Sequence, residues 1–226
     1  MNSILKKSAL ACLSTVLINV AQASPISVVS YDMPNGSGQA SGGNYNYWDK
    51  NYSGAGSTTT DGAALSGGKG DLTDGFVTTL NWISAEGPSG IGPYVGWRNT
   101  TTPTPTIKFN FGSLVNLDSI TIHMDDANGF GGVAPPLSVG ISTDNLNFDV
   151  RSIADPFTGD PFFLTLSGLG LATDSVWLKF DYSAPWIFID EVSFDGRATQ
   201  VSEPGVLALL GLSLLAMAGV RHGRRR

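Results

Sequence analysis

One short stretch gathers most of the side chains that do chemistry. "HMDDANG", from His123 to Gly129, holds an imidazole, two carboxylates and an amide. His123 is the only histidine between Ser24 and Gln200, and Cys12 is the only cysteine of the chain. Serine hydrolysis needs a histidine beside a poised serine, and no Gly-x-Ser-x-Gly elbow is present. Glycoside hydrolysis needs two carboxylates facing one bond. Asp125 and Asp126 are neighbours, so on a strand they point to opposite faces. There is no His-Glu-x-x-His metal motif and no phosphate-binding loop. The chain therefore reads as non-catalytic, with a hydrolase the least favoured reading. Asp125, Asp126 and Asn128 are also ordinary turn residues.

The two ends carry signals. Lys6 and Lys7, an apolar run from Ser8 to Ala21 and the small-x-small triplet Ala21-Gln22-Ala23 form a secretory signal over residues 1–23, so the mature chain begins near Ser24. Cys12 lies inside that run, which leaves the exported part without a disulfide, a thiol nucleophile or a cysteine metal site. At the other end, Val206 to Val220 is uncharged and Arg221, Arg224, Arg225 and Arg226 follow. As a helix the apolar run reaches about 22 Å, short of a ~30 Å hydrocarbon layer. The basic cluster stays on the cytoplasmic side. Residues 201–226 thus read as a marginal inner-membrane helix.

That ending resembles the PEP-CTERM sorting signal of Gram-negative bacteria: a Glu-Pro motif (Glu203, Pro204), a Leu/Ala/Gly-rich helix and an Arg-rich end. Ser202 departs from the family's usual proline. The resemblance implies recognition by an exosortase-type transpeptidase, cleavage near the motif and passage to the cell surface or exterior. The alternative is a plain C-terminal membrane anchor.

Between the signals, Ser24 to Gln200 carries 7 Lys or Arg against 18 Asp or Glu, a net charge of −11. Phosphate binding wants a basic face, so nucleic acid is not an expected partner. Acidity suits a cation such as calcium, or simply a solvated surface.

The pattern of this part is β. Ile107, Phe109 and Phe111 alternate, as do Ile120, Ile122 and Met124; Leu137, Val139 and Ile141; and Val176, Leu178 and Phe180. Ile187 and Ile189 are followed by Val192 and Phe194, a slip of phase near Asp190 that a bulge would produce. No ten-residue helix shows itself. These short strands and their Gly, Pro, Asn and Asp punctuation predict an all-β, antiparallel β-sandwich of jelly-roll type over residues 72–200. Residues 24–71 are rich in Gly, Ser and Asn, and are expected to be partly loop. Tyr45, Tyr47, Trp48 and Tyr52 there either pin the loop or offer a binding platform. Trp97 is expected in the core.

The order of these pieces resembles a discoidin-type, galactose-binding-like domain. "LTDG" (Leu72–Gly75) looks like the family's early Asp-Gly segment. "YVGW" (Tyr94–Trp97) then precedes "IKFNFG". "LDSITIHMDDANG" leads into "LSVGISTDNLNF", and "VWLKFDY" and "IFIDEVSFDG" look like closing strands. The resemblance implies ligand binding, often to sugars, through loops at one end, with an aromatic ring to stack and polar groups to hold hydroxyls. Trp186 in "SAPW" is the expected stacking ring, with His123 and Asn128 as hydroxyl contacts. It also implies a structural calcium held by Asp74 and Glu191, unless Asp74 only caps a turn and Glu191 faces solvent. The functional expectation is an exported, non-catalytic protein that binds extracellular polysaccharide. The alternative is a structural surface or biofilm-matrix protein with no specific ligand.

Overall fold

The computed structural model describes residues 23–38, 46–86 and 92–199. The expected signal segment, the expected membrane helix, the expected sorting motif Ser202-Glu203-Pro204, and Tyr45 lie outside the described residues. Among the described residues no helix is long and apolar enough to cross a membrane.

Among the described residues nine strands appear: β1 (Ser24–Pro25), β2 (Ser30–Pro34), β3 (Ala64–Gly68), β4 (Val95–Arg98), β5 (Thr106–Met124), β6 (Ser138–Ser142), β7 (Asp149–Ser152), β8 (Phe162–Asp181) and β9 (Trp186–Ala198). One short helix, α1, spans Trp82–Ala85. Every strand pairing is antiparallel.

Two long strands, β5 and β8, run through both layers of the sandwich. The first part of β5 pairs with β2 and with the end of β8. Its second part pairs with β9 and with the start of β8. The register breaks between Asn110 and Val115, where Gly112 adopts φ 74°, a conformation that costs glycine little. One layer then runs β3-β2-β5-β8-β6-β7. The other runs β8-β5-β9, with β1 and β4 sharing the far edge of β9.

Apolar alternation decides which faces meet. Ile107, Phe109, Ile120, Ile122, Val176 and Leu178 are all fully buried. The layers lock where Phe109 and Phe111 approach Phe194, with ring centroids 5.0 and 5.1 Å apart. Trp97, on β4, is buried as expected, and its Nε1 donates to the Pro34 carbonyl at 2.8 Å. Each large apolar side chain so buried contributes about 1.5–3 kcal/mol.

The Gly/Ser/Asn-rich stretch is more ordered than its composition suggests. It supplies β3, and an isolated bridge joins Ala55 to Ser66. Tyr47 and Tyr52 are buried, and the Tyr52 hydroxyl donates to the Tyr31 carbonyl, so both rings pin the segment. Trp48 keeps partial exposure, with its Nε1 donating to Asp61 at 2.8 Å.

The phase slip in β9 is a bulge. His123 faces Glu191 and Met124 faces Ile189, leaving Asp190 as the extra residue. The bulge puts a carboxylate inside the protein where alternation alone would have continued the apolar series.

Candidate functional site

At one end of the sandwich the strands break off into loops, and a second, smaller cluster of buried aromatics gathers there: Tyr47, Tyr94, Trp186 and Phe188, with Trp82 packed against them. Strand pairing builds its floor. Antiparallel pairing of β4 with β9 sets Arg98 opposite Trp186 and Gly96 opposite Phe188. Val133 bridges to Trp186 and so brings the 127–133 turn alongside. That turn closes through Gly129 N–H to the Val133 carbonyl at 2.8 Å. Glycine is required at one position for a steric reason: a Cβ on Gly131 would stand 2.4 Å from the Trp82 ring.

These residues form a half-open pocket of about 170 Å³ lined by Tyr47, Trp82, Arg98, Val133, Trp186 and Phe188. Its rings meet mostly at their edges: Tyr47 lies T-shaped against Trp186 and Phe188, with centroids 5.4 and 4.6 Å away. The Arg98 guanidinium stands 5.7 Å from the Trp186 ring centroid. Arg98 makes no ion pair among the described residues and is exposed. The pocket thus offers aromatic surface plus one accessible cationic hydrogen-bond donor. That equipment stacks a ring and grips hydroxyls or an anion.

Buried carboxylates hold the loops around the pocket. Asp125 accepts from Trp82 N–H at 2.9 Å, and burial lifts its carboxyl to about 6. Asp126 accepts from Thr158 and Gly159 N–H at 2.9 and 3.3 Å. Asp190 accepts from Thr78 N–H at 2.9 Å and meets His123 Nδ1 at 2.5 Å. Glu86 accepts from Tyr94 N–H at 3.0 Å, and burial pushes its carboxyl up to about 8. These bonds go to loop N–H groups that have no ladder partner.

The expected ligand residues separate. Trp186 lines the pocket, but it is 8% exposed, not the open ring expected of a loop position, because β9 begins at Trp186 itself. His123 is 3% exposed; its ring lies 4.4 Å from Phe163 and its Nδ1 reaches Asp190, away from the pocket. Asn128 takes φ 49° and heads the turn as expected, with its N–H bonded to Asp126. It is not among the residues that line the cavity. Trp82 and Arg98 went unread in the sequence. Arg98 was legible as the lone cation closing the aromatic strand "YVGWR"; Trp82 carries no such sign.

Glu191 reaches the loop that carries Asp74. Glu191 accepts from Gly75 N–H at 3.0 Å, and Asp74 accepts from Phe76 N–H at 2.8 Å, so Asp74 caps its turn. Burial, with a further push from Asp74, holds the Glu191 carboxyl at about 7. Asp71 nearby is also raised to about 7, by burial and then by Asp49. Among the described residues no three His, Cys, Asp or Glu side chains converge as a metal-holding group.

Comparison with known proteins fits this architecture. Residues 27–196 match the family model of the discoidin domain-containing receptor 1/2 DS-like domain. No curated protein matches the chain. Similar solved structures include a truncated AlyQ with CBM32 and alginate lyase domains, at 11% identity and a TM-score of 0.41, over 79% of this chain and 34% of that one. The Streptococcus pneumoniae beta-galactosidase BgaA aligns at 13% identity and a TM-score of 0.40, over 55% of this chain and 82% of that one. The family 32 CBM of C. perfringens NanJ, solved in complex with galactose, aligns at 14% identity and 0.29, over 40% and 66%. With its sandwich, its loop-built end and a family match over most of its length, the chain belongs to the discoidin domain-containing receptor 1/2 DS-like domain family.

Proposed function

We propose that this is an exported, non-catalytic module that binds carbohydrate in the aromatic pocket at the end of the sandwich. The observation that carries the reading is the placement of Arg98 over Trp186 in a pocket of about 170 Å³. That is room for a single sugar ring stacked on aromatic surface, with the guanidinium donating to its oxygens. Trp186 supplies the ring surface. His123 acts one step back, fixing Asp190 and through it the loop that leads to Trp82. Asn128 shapes the rim.

The test is a glycan array on the full chain, followed by Arg98→Ala. Arg98 is exposed, so the fold should survive its loss. Binding to the array should fall at least tenfold while the thermal midpoint stays put. Glycan binding that ignores the substitution would remove the pocket from the reading and favour a structural surface or biofilm-matrix protein.

The reading includes two further parts. Export through the signal segment and sorting by an exosortase-type transpeptidase at Ser202-Glu203-Pro204 would deliver the module to the cell surface or beyond, where extracellular polysaccharide is the expected partner. Mass spectrometry of the native protein should find neither the segment before Ser24 nor the helix after Pro204; an intact Arg226 in all mature protein would leave a plain anchor. The second part is structural calcium at Asp74 and Glu191. Their oxygens suit a hard cation; burial first, and the neighbouring carboxylates after it, raise Glu191 and the nearby Asp71. Bound calcium would supply charge neutralisation there, with backbone carbonyls completing the set.

A further inference from the structure

Away from the pocket, the outer face of the layer containing β2, β5, β8 and β6 carries a second arrangement. Ile107, Phe109, Val176 and Leu178 point into the core. Thr106, Lys108 and Asn110 on β5, with Ser175, Trp177 and Lys179 on β8, therefore share the opposite face. Pairing lines them up in rows across the sheet. Asp32, Lys108, Trp177 and Ser142 form one row; Thr106, Lys179 and Gly140 form the next.

An open trough of about 490 Å³ is lined by Asp32, Pro34, Thr106, Lys108, Asn145 and Trp177; Lys179 stands just beyond this lining, beside Thr106 on the neighbouring row. Lys108 Nζ lies 5.0 Å from the Trp177 ring centroid, and Lys179 Nζ lies 4.5 Å from that of Phe148. Neither ammonium is in an ion pair among the described residues. Asp32, next to Lys108 in the row, is turned to other donors: Gly67 N–H at 2.8 Å and Asn110 Nδ2 at 3.4 Å.

Ser24 to Gln200 has 7 Lys or Arg against 18 Asp or Glu, yet two of the lysines stand on adjacent rows of one face, each held against a ring. A lysine resting on an aromatic face keeps its full charge for a further partner, where a carboxylate would have cancelled it. The flat ring supplies stacking surface, and the two ammoniums supply spaced positive charge.

We propose that this trough is a second binding site, separate from the end pocket, for an extended acidic polysaccharide of the uronic-acid type. One sugar stacks on Trp177, and its carboxylate or its neighbour's is met by Lys108 and Lys179. The trough is open along the sheet, so a chain can lie through it, whereas the end pocket has room for a single ring.

Calorimetric titration of the full chain with a mannuronic acid hexamer tests this, with a neutral mannose hexamer as control. The acidic hexamer should bind and the neutral one bind at least tenfold more weakly. Affinity for the acidic hexamer should fall as salt rises. Trp177→Ala should weaken it roughly tenfold or more, and the pair Lys108→Gln, Lys179→Gln should remove most of the salt dependence. Arg98→Ala should leave it unchanged, which separates this site from the end pocket. Should Trp177→Ala fail to fold, the two lysine substitutions carry the test alone. No binding of the acidic hexamer, equal binding of the neutral one, or binding indifferent to the two lysines would overturn the proposal.

Discussion

The body of the sandwich and its loop end solve the same problem with opposite materials. In the body, backbone N–H and C=O groups pair along the ladders, and apolar side chains fill the space between layers. At the loop end the ladders stop. Trp82, Thr78, Thr158, Gly159 and Tyr94 present N–H groups with no strand beside them, and buried carboxylates take their place. The acidic residues there are thus wiring for loops, and their burial says more about architecture than about bond-breaking chemistry.

That contrast can be broken by matched substitutions. Phe109→Ala in the body should cost about 3–5 kcal/mol, as large cavities in cores do. Asp190→Ala at the loop end should cost nearly as much, about 2–5 kcal/mol, because it strands both His123 Nδ1 and the Thr78 N–H in buried surroundings. Denaturant unfolding measures both. A cost for Asp190→Ala below about 1 kcal/mol, the scale of one ordinary net hydrogen bond, would mean the carboxylates do not hold the loops.

A smaller effect sharpens it through pH. Glu86 titrates at about 8 in the fold and in the ordinary carboxylate range when unfolded, and Asp125 is raised in the same sense to about 6. The folded state therefore holds these protons more tightly. The stability they contribute is full below the unfolded range and is lost as pH rises through about 6 and then 8. The thermal midpoint should decline from pH 5 to pH 9. Glu86→Gln keeps an acceptor for Tyr94 N–H and cannot ionise, so it should flatten the upper part of that decline. An identical slope in the variant would place the pH dependence elsewhere.

The smallest expected change is metal-linked. Millimolar calcium added to the metal-stripped full chain should raise its midpoint by a few degrees, since a ligand of the native state stabilises by mass action. Asp74→Ala should abolish the rise. No rise in the parent chain removes calcium from the reading.

How far the sequence could be read follows the same divide. Period-two alternation marked β5, β6, the end of β8 and β9, and the break in β9 at Asp190 was visible as a phase slip. Those signals are local, and burial enforces them in β5 and the end of β8; in β6 every residue is buried, and Leu137, read as the first of its series, falls outside the strand and is exposed. β2 was missed although "SYDMP" alternates, with Tyr31 and Met33 inward, because the run is short and ends in proline; "ALSGG" shows little alternation, and its neighbours in space, β2 and the Tyr52 segment, make it a strand. Asp74 and Glu191 were paired only by family resemblance; in the fold Glu191 accepts from Gly75 N–H, the residue after Asp74. The pocket itself was only partly legible. Trp186 was found, but Tyr47, Trp82 and Arg98 converge from three separate parts of the chain, and no spacing announces such a meeting.

The two-residue strand β1 has a mechanical consequence. Ser24 and Pro25 pair with Gly196 and Asp195, and Thr199 N–H reaches the Leu114 carbonyl, so both ends of the described body leave at one pole. The pocket lies near Trp186, roughly 30 Å away along β9 at about 3.3 Å per residue. Tension applied between those ends would peel β1 from β9 one hydrogen bond at a time, the weakest loading geometry a sheet offers. The rest of β9, paired with β5 from Val115 to Met124, would feel the load only afterwards. Under a modest pull the domain would lengthen at its base while the loop end kept its shape.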